Sequence, residues 1–381
     1  MTPSGAPPSD VSFRPGLAGI VAAETSLSRV EGEAGRLTLR GYPLEEIAPR
    51  ASFEEMVFLL WEDRLPTARE LHAFRQELAS RRRLAPATLA LLAAAAEGRV
   101  GVMDALVMGA ASLALDPTAD ERTLVACVPS LVATYARLAA GDEPIPVRPD
   151  LGLAAGYLWQ LTGEEPSAER VRGLETYLNT VCDHGFNAST FTARVIVSTG
   201  SDGVSSVVGA LGALKGPLHG GAPGPALDMV REIGVVERAE DWLRAVLDRG
   251  ERLMGFGHRV YRVRDPRADV LAAAAEGYFA RGAGDRHLWH LARGVEEVAL
   301  RLLRERKPDR RIETNVEFYT ALLLDGLGLP TELFSPTFAI GRVAGWTAHG
   351  REQRAEGRLI RPSSTYVGAQ GRRWVPLDER G

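Results

Sequence analysis

Two helix starts follow each other in residues 51–78, ASFEEMVFLLWEDRLPTARELHAFRQEL. Ser52 and Glu55 have the spacing of a capping box, in which each side chain satisfies a backbone amide in the first turn of a helix. Thr67 and Glu70 repeat that spacing, and apolar residues recur at helical intervals after both pairs. The stretch therefore predicts two consecutive amphipathic helices.

Helical periodicity continues through the rest of the chain. Further helices are predicted at Pro86–Glu97, Val102–Leu115, Glu121–Ala140, Leu151–Leu161, Ala168–Val181, Ser189–Ser198, Ser205–Lys215, Pro225–Glu232, Arg238–Asp248, Arg267–Arg281, Arg286–Lys307, Val316–Leu327 and Phe334–Arg354. Residues 16–42 carry Val, Leu and Thr with frequent Gly and have room for one short strand pair. Strands and helices do not alternate along the sequence, which argues against a doubly wound sheet. The sequence predicts an all-α fold.

Composition excludes several classes of protein. The chain has 381 residues, of which 45% are hydrophobic and 25% charged, as in an ordinary globular protein. A net charge of −4 gives no basic excess for binding nucleic acid or an anionic membrane. The longest purely apolar run, Leu89–Ala96, is far shorter than the roughly 18 residues of a membrane span. The N-terminal residues show no signal peptide, and Cys127 and Cys182 are typical of buried thiols, so we expect a cytoplasmic protein.

Four of the seven histidines stand beside glycine, where the backbone can approach a ligand closely, and three of these four are candidate site residues. His184 lies in CDHGFNAST, His219 in LKGPLHGGAP and His258 in MGFGHRVYRVRDPRA. Each is predicted at the edge of a helix, where imidazole and backbone amides can face one anion. Of the remaining histidines, His290 follows Trp289 and His349 lies three residues after Trp346, and both are interpreted as packing residues.

Three kinds of catalytic site are compared with these residues: a metal site, a Schiff base and a nucleophilic serine. A metal site is disfavoured because the three histidines are far apart in sequence and form no HxxxH or HExxH pair. A Schiff base to pyridoxal is conceivable at Lys215, in a glycine-rich turn, although no phosphate-binding motif accompanies it. A nucleophilic serine is disfavoured because GxSxG is absent.

Arginine is the basic residue available for binding anions, because all but Lys215 and Lys307 of the 45 basic residues are arginine. Arg267 follows His258 in the segment DPRA, and Arg342 stands inside the apolar segment FAIGRVAGW. An arginine in apolar surroundings usually pairs with a carboxylate of the protein or of a ligand. The combination of arginine, histidine and carboxylate suits a small substrate with two carboxylates.

Five longer motifs resemble the citrate synthase family, in the family's order and spacing. They are LKGPLHGGA, MGFGHRVYRVRDPRA, NVEFYTALLLDGLGLP, FSPTFAIGRVAGWTAHGREQ and RLIRPSSTYVG, and the resemblance runs from about Gly16 to Gly368. It implies an all-α, two-domain helical fold that works as a homodimer and condenses an acyl-CoA, usually acetyl-CoA, with oxaloacetate. The expected division is a flexible tail at 1–15, a large domain at 16–217 and 325–381, and a small domain at 218–324.

The resemblance also implies roles for individual residues. His219 would stabilise the enol of acetyl-CoA, His258 would polarise the oxaloacetate carbonyl, and Glu317 would stand in the place of the catalytic base. The residues implied to bind oxaloacetate are His184, Arg267, Arg342 and, from the other subunit, Arg361. Those implied to bind CoA are Arg262, Arg252, Gly255 and Gly257. Neither a metal nor a prosthetic group is needed for this chemistry.

The sequence departs from the family's pattern at two places. The family's base is normally Asp within NVDFY, whereas Glu317 stands here within NVEFY. After His219 the family usually has HGGANE, whereas Pro223 and Gly224 follow HGGA here. Two alternatives therefore stay open beside citrate synthase activity. One is a 2-methylcitrate synthase that uses propionyl-CoA, and the other is a ligand-binding paralogue that turns over poorly.

Overall fold

The computed structural model describes residues 13–17, 19–219, 223–258, 261, 263–281 and 284–380. Sixteen α-helices and three short strands occur in these residues, which confirms the all-α class. The strands are β1 (Ser28–Glu31), β2 (Arg36–Leu39) and β3 (Tyr42–Pro43). The helices are α1 (Leu44–Ile47), α2 (Phe53–Glu62), α3 (Ala68–Arg81), α4 (Pro86–Glu97), α5 (Val102–Ser112), α6 (Glu121–Ala140), α7 (Leu153–Thr162), α8 (Ala168–Val181), α9 (Ala188–Ser198), α10 (Gly203–Leu214), α11 (Pro223–Ile233), α12 (Ala239–Asp248), α13 (Pro266–Ala280), α14 (Arg286–Arg306), α15 (Val316–Gly326) and α16 (Phe334–Glu356).

Both predicted capping boxes are present. The Ser52 hydroxyl accepts from the Glu55 amide while the Glu55 carboxylate accepts from the Ser52 amide, and α2 begins at the next residue. Thr67 and Glu70 make the same reciprocal pair at the start of α3. The sequence therefore located these helix starts correctly, because capping depends only on residues three apart.

The strands form one antiparallel sheet in the order β1-β2-β3, with Ser28 opposite Leu39 and Leu39 opposite Tyr42. The predicted strand pair is thus part of a three-stranded sheet. Leu37 and Leu39 alternate with outward residues and are buried, so one face of the sheet covers the helical core.

The helices α6 and α16 run through the interior of the protein. Among the described helices, only α6 is long and apolar enough to cross a membrane by length and composition, and 67% of its apolar window is buried inside the protein. Most of α16 is buried as well, including the polar side chains of Arg342 and His349. Polar groups buried in this way require hydrogen-bond partners, and the residues around them form the candidate site.

Ends of several helices converge on one region. His184 follows the end of α8, His219 follows α10, Arg267 lies in the first turn of α13 and Glu317 in the first turn of α15. Arg342 comes from the interior of α16. The division into a large domain and a small domain at 218–324 stays a prediction, and most of the predicted tail, residues 1–12, lies outside the described residues.

Candidate active site

Two of the glycine-flanked histidines meet at a buried tyrosine. The ring centroids of His184 and His258 are 5.8 Å apart, and His184 Nε2 lies 3.1 Å from the Tyr261 hydroxyl. Burial, reinforced by the charges of Arg267 and Arg342, lowers the pKa of His184 well below its ordinary value. Both cations and both imidazoles therefore belong to one cluster, although 158 residues separate His184 from Arg342 in sequence.

The hydrogen bonds of His258 define its tautomer. The backbone amide of Tyr261 donates to Nδ1 at 3.1 Å, and Arg267 Nη2 lies 3.1 Å from Nε2. A neutral imidazole has one acceptor nitrogen, so it cannot accept from both donors. With Nδ1 accepting from the backbone amide, the proton lies on Nε2, and the 3.1 Å approach of the Arg267 guanidinium to Nε2 is then not a hydrogen bond. Burial and the charge of Arg267 lower the pKa of His258 to about 4, so the ring is neutral at pH 7.

His219 is held by Ser189, at the start of α9. The Ser189 hydroxyl lies 2.8 Å from His219 Nε2, and the Ser189 amide faces the same nitrogen at 3.3 Å. The amide can only donate, which favours Nε2 as the acceptor and leaves the proton on Nδ1. Burial and the charge of Arg342 lower the pKa of His219, so this imidazole is also neutral. The link from His219 to α11, where the sequence departs from HGGANE, lies partly outside the described residues.

Glu317 is a half-buried carboxyl group near Arg267 and Arg342. The Asn315 side chain caps α15, because its Oδ1 accepts a hydrogen bond from the Glu317 backbone amide at 3.0 Å. This bond fixes the first turn of the helix. Burial raises the pKa of Glu317 from 4.5 to about 7, against the opposing charges of Arg267 and Arg342. A carboxyl group that titrates near pH 7 is suited to general base catalysis.

The two buried arginines differ in their partners. Arg267 forms a two-point ion pair with Asp265, through Nη2 at 2.8 Å and Nε at 3.1 Å. Arg342 Nε donates to the Val181 carbonyl at 2.6 Å, and its guanidinium lies over the Phe338 ring. In the part of the chain that the structure describes, no carboxylate lies within ion-pair distance of Arg342, and burial lowers its pKa to about 10. An unpaired buried guanidinium is suited to bind a carboxylate from outside the chain.

The predicted CoA-binding residues fall into three groups. Gly255 and Gly257 lie in a loop that pairs with the segment leading into α15, because Asn315 donates to the carbonyls of both glycines. Gly255 has φ of 86°, and a Cβ atom there would lie 2.9 Å from the Phe318 side chain, so this approach to α15 requires glycine. Arg252 is exposed beside the loop. Arg262 lies outside the described residues.

Arg361 is a predicted oxaloacetate-binding residue that the chain does not bring to the cluster. It lies in the extended segment after α16, where residues 361–375 are exposed. No hydrogen bond or ion pair joins Arg361 to any other residue that the structure describes. Its predicted role therefore depends on a second subunit.

Comparison with known proteins identifies the family. The family profile described as "Citrate synthase, C-terminal domain" matches residues 16–363. The chain belongs to the citrate synthase family. It is 38% identical to the citrate synthase of Haloferax volcanii, with 96% of this chain and 98% of the relative covered. It is 36% identical to 2-methylcitrate synthase 1 of Corynebacterium glutamicum, with 98% and 100% covered.

One solved structure similar to this chain is a citrate synthase in complex with two ligands. The ternary complex of carboxymethyl coenzyme A and oxaloacetate with the citrate synthase of Thermoplasma acidophilum matches with a TM-score of 0.83 and 27% identity, and 95% of this chain and 98% of the other are covered. The fold and the motif order predicted from the sequence are therefore those of this family.

The structure shows contacts of His349 and Lys215 that the sequence did not indicate. His349, interpreted as a packing residue, instead makes polar contacts with Asp183 and Arg194 directly behind His184. Packing against tryptophan gave no signal of these contacts, since both partners are distant in sequence. Lys215 is exposed and forms an ion pair with Asp104, away from the cluster. Among the described residues, no group of three or more His, Cys, Asp or Glu is arranged to hold a metal ion.

Proposed function

We propose that this protein condenses acetyl-CoA with oxaloacetate to give citrate and CoA. The observation that carries the proposal is the composition of the buried cluster. Arg342 has no carboxylate partner among the described residues, Glu317 titrates near pH 7, and His219 and His258 are neutral. A dicarboxylic 2-oxo acid supplies the missing anion, and the carboxyl group and imidazoles supply a base and two hydrogen-bond donors.

In the proposed reaction, Glu317 removes a proton from the methyl group of acetyl-CoA. His219 donates from Nδ1 to the thioester oxygen as negative charge develops there, which stabilises the enol. His258 donates from Nε2 to the oxaloacetate carbonyl and polarises it for attack by the enol carbon. Arg267 and Arg342 bind the carboxylates of oxaloacetate, with His184 beside them. Hydrolysis of the resulting citryl thioester releases CoA, so neither a metal nor a prosthetic group is required.

The acyl donor is the least defined part of this proposal. Relatives named for citrate and for 2-methylcitrate have similar identity to the chain. One methylene in an apolar pocket is worth only about 1–3 kcal/mol, so the same cluster serves acetyl-CoA and propionyl-CoA. The experiment is a steady-state assay of CoA release with oxaloacetate and each donor. We expect a higher kcat/KM with acetyl-CoA. A higher value with propionyl-CoA would make the protein a 2-methylcitrate synthase, and turnover of neither donor would make it a ligand-binding paralogue.

We also propose a homodimer whose sites are completed by Arg361 of the second subunit. The segment after α16 exposes large apolar side chains, including Tyr366 at 68%, Trp374 at 79% and Leu377 at 77%. Apolar groups of this size, spread along an extended segment, are suited to burial against another chain. The proposed location is the cytoplasm, with no nucleic-acid or membrane partner.

Subunit mixing tests the shared site. Chains carrying His258→Ala and chains carrying Arg361→Ala should each be inactive alone. After subunit exchange, a hybrid dimer keeps one site with both residues, so activity should return to as much as about a quarter of the parental value. Absence of recovery, with exchange verified by mass spectrometry, would mean that Arg361 does not act across the interface.

A further inference from the structure

The short segment 182–185 carries His184 from the end of α8 into the active site, where it contacts Tyr261, while the neighbouring Asp183 contacts His349 instead. Asp183 is fully buried, directly behind His184. Burial alone would raise the pKa of Asp183, but the contacts with His349 and Ser28 hold it below its ordinary value. The reaction proposed above assigns Asp183 no role, so its burial as a carboxylate needs another reason.

His349 provides the main contact. Its Nε2 lies 3.1 Å from Asp183 Oδ1, and Arg194 Nη1 lies 3.3 Å from its Nδ1. Arginine can only donate, so Nδ1 is the acceptor, and the proton on Nε2 is donated to the carboxylate. Unlike His258, this imidazole has both nitrogens satisfied by one neutral tautomer. The arrangement fixes the orientation of the ring and, through it, the position of Asp183.

Arg194 is itself held at several points. It is fully buried, and its guanidinium donates to Gln353 at 2.8 Å, to Glu352 at 2.6 Å and to Glu356 at 3.1 Å. These three acceptors lie in the last turns of α16, and together they prevent the guanidinium from rotating. Arg194 is therefore a rigid donor for His349.

The backbone confirms that this contact is close and specific. Gly345 and Gly341 lie about one and two turns before His349 on the same face of α16. A Cβ atom at Gly345 would overlap the Cys182 carbonyl and lie 3.0 Å from Asp183 Oδ1, and one at Gly341 would lie 2.9 Å from the Leu178 carbonyl. The end of α8 thus packs directly on the α16 backbone, with His349 at the end of the contact.

We propose that Asp183 and His349, held by Arg194, are positioning residues for His184 in oxaloacetate binding. The Asp183 carboxylate anchors the segment 182–185 from behind, so that His184 faces Arg342 and His258. The inference rests on the proposed function for the identity of the ligand. It predicts that loss of the anchor weakens oxaloacetate binding, while the acetyl-CoA contacts, which come from other segments, are unchanged.

Two substitutions at His349 test its contact with Asp183 separately from its contact with Arg194. In His349→Gln, the side-chain amide reaches the position of Nε2 and can still donate to Asp183. In His349→Asn, the shorter amide reaches the position of Nδ1 and can accept from Arg194, but the Asp183 contact is lost. A misplacement of about 1 Å can cost about 100-fold, so we expect at least a tenfold rise in the oxaloacetate KM for His349→Asn. For His349→Gln we expect less than a threefold rise.

The measurement compares KM for oxaloacetate, KM for acetyl-CoA and the melting temperature of both variants. The proposal requires a clearly higher oxaloacetate KM for His349→Asn than for His349→Gln. It also requires that the acetyl-CoA KM of each variant stays within threefold of the parental value. Equal oxaloacetate KM values for the two variants would overturn it. So would a parallel rise of both KM values, because general destabilisation does not select one substrate.

A matched pair at Asp183 tests the same anchor if His349→Asn does not fold. Asp183→Asn keeps an oxygen that accepts from His349, whereas Asp183→Leu has a similar branched shape, a larger volume and no acceptor. Both remove the negative charge near Arg342, so the charge effect cancels in their comparison. We expect the oxaloacetate affinity of Asp183→Asn to exceed that of Asp183→Leu at least tenfold, and equal affinities would refute the anchor.

Calorimetric titration with oxaloacetate keeps the two proposals distinguishable. If the parent protein binds oxaloacetate but releases no CoA, the proposed reaction fails and the positioning role is still measured by binding. If the parent protein turns over and the paired variants do not differ in affinity, the positioning role alone fails.

Discussion

Lowering the pH should inactivate the protein through Glu317. The group acts as a base only as a carboxylate, and burial raises its pKa from 4.5 to about 7. The sign follows directly: as the pH falls through 7, the protonated fraction rises and kcat/KM for acetyl-CoA falls. Bound oxaloacetate neutralises Arg267 and Arg342, whose charges oppose this shift, so the apparent pKa in its presence should be 7 or above.

The size of the effect follows from that pKa. With a pKa of 7, about 91% of the base is active at pH 8 and about 9% at pH 6, a loss of about tenfold. With the ordinary value of 4.5, about 97% would remain active at pH 6. His258 does not confuse the result, because its pKa is about 4 and it stays neutral throughout this range.

The assay is kcat/KM for acetyl-CoA at saturating oxaloacetate, measured between pH 5.5 and 8.5 in buffers of constant ionic strength. Glu175 provides the control, because burial raises its pKa to about 7 as well, on α8 and outside the cluster. Glu175→Gln should leave the profile unchanged. Two results would refute Glu317 as the titrating base. One is a kcat/KM for acetyl-CoA that does not change in the parent protein from pH 8 to 6. The other is loss of the pH dependence in Glu175→Gln.

Three further outcomes are expected. If the neighbouring residues are adapted to the longer side chain, Glu317→Asp should lower kcat by up to about 100-fold, and a faster variant would show that they are not. Arg342→Leu should raise the oxaloacetate KM about 10- to 100-fold through loss of charged hydrogen bonds, with Arg342→Lys intermediate and an unchanged KM contradicting the contact. Calorimetry should show tighter acetyl-CoA binding when an oxaloacetate analogue is present, as closure of a small domain carrying His258 and Arg267 requires, and equal affinity would exclude that closure.

The helices were predictable from the sequence because their signals are local. Capping boxes and apolar periodicity depend on residues three or four apart, and Pro86–Glu97, Glu121–Ala140 and Ala168–Val181 are found with the predicted bounds. The prediction of the strands was less complete, because it contained one strand pair and the sheet has three strands. A third strand of two residues, Tyr42–Pro43, joins the sheet through backbone hydrogen bonds that leave no pattern in the sequence.

In the active site too, residues with a local sequence signal were predicted, and residues that depend on long-range contacts were not. Arg342 was predictable because a charged residue inside an apolar helix requires an anionic partner. His349 was missed because its partners, Asp183 and Arg194, are 166 and 155 positions away. Contacts between residues so far apart depend on how α8, α9 and α16 pack, which the sequence does not state directly.

Exchange of the methyl protons of acetyl-CoA tests the central claim most directly. In D₂O, with an oxaloacetate analogue that has a hydroxyl in place of the ketone, no bond can form and enolisation is observed alone by mass spectrometry. We predict that the parent protein introduces deuterium into acetyl-CoA and that Glu317→Gln, which has no carboxylate, does not. Exchange by Glu317→Gln at close to the parental rate would contradict the account, because another group would then be the base.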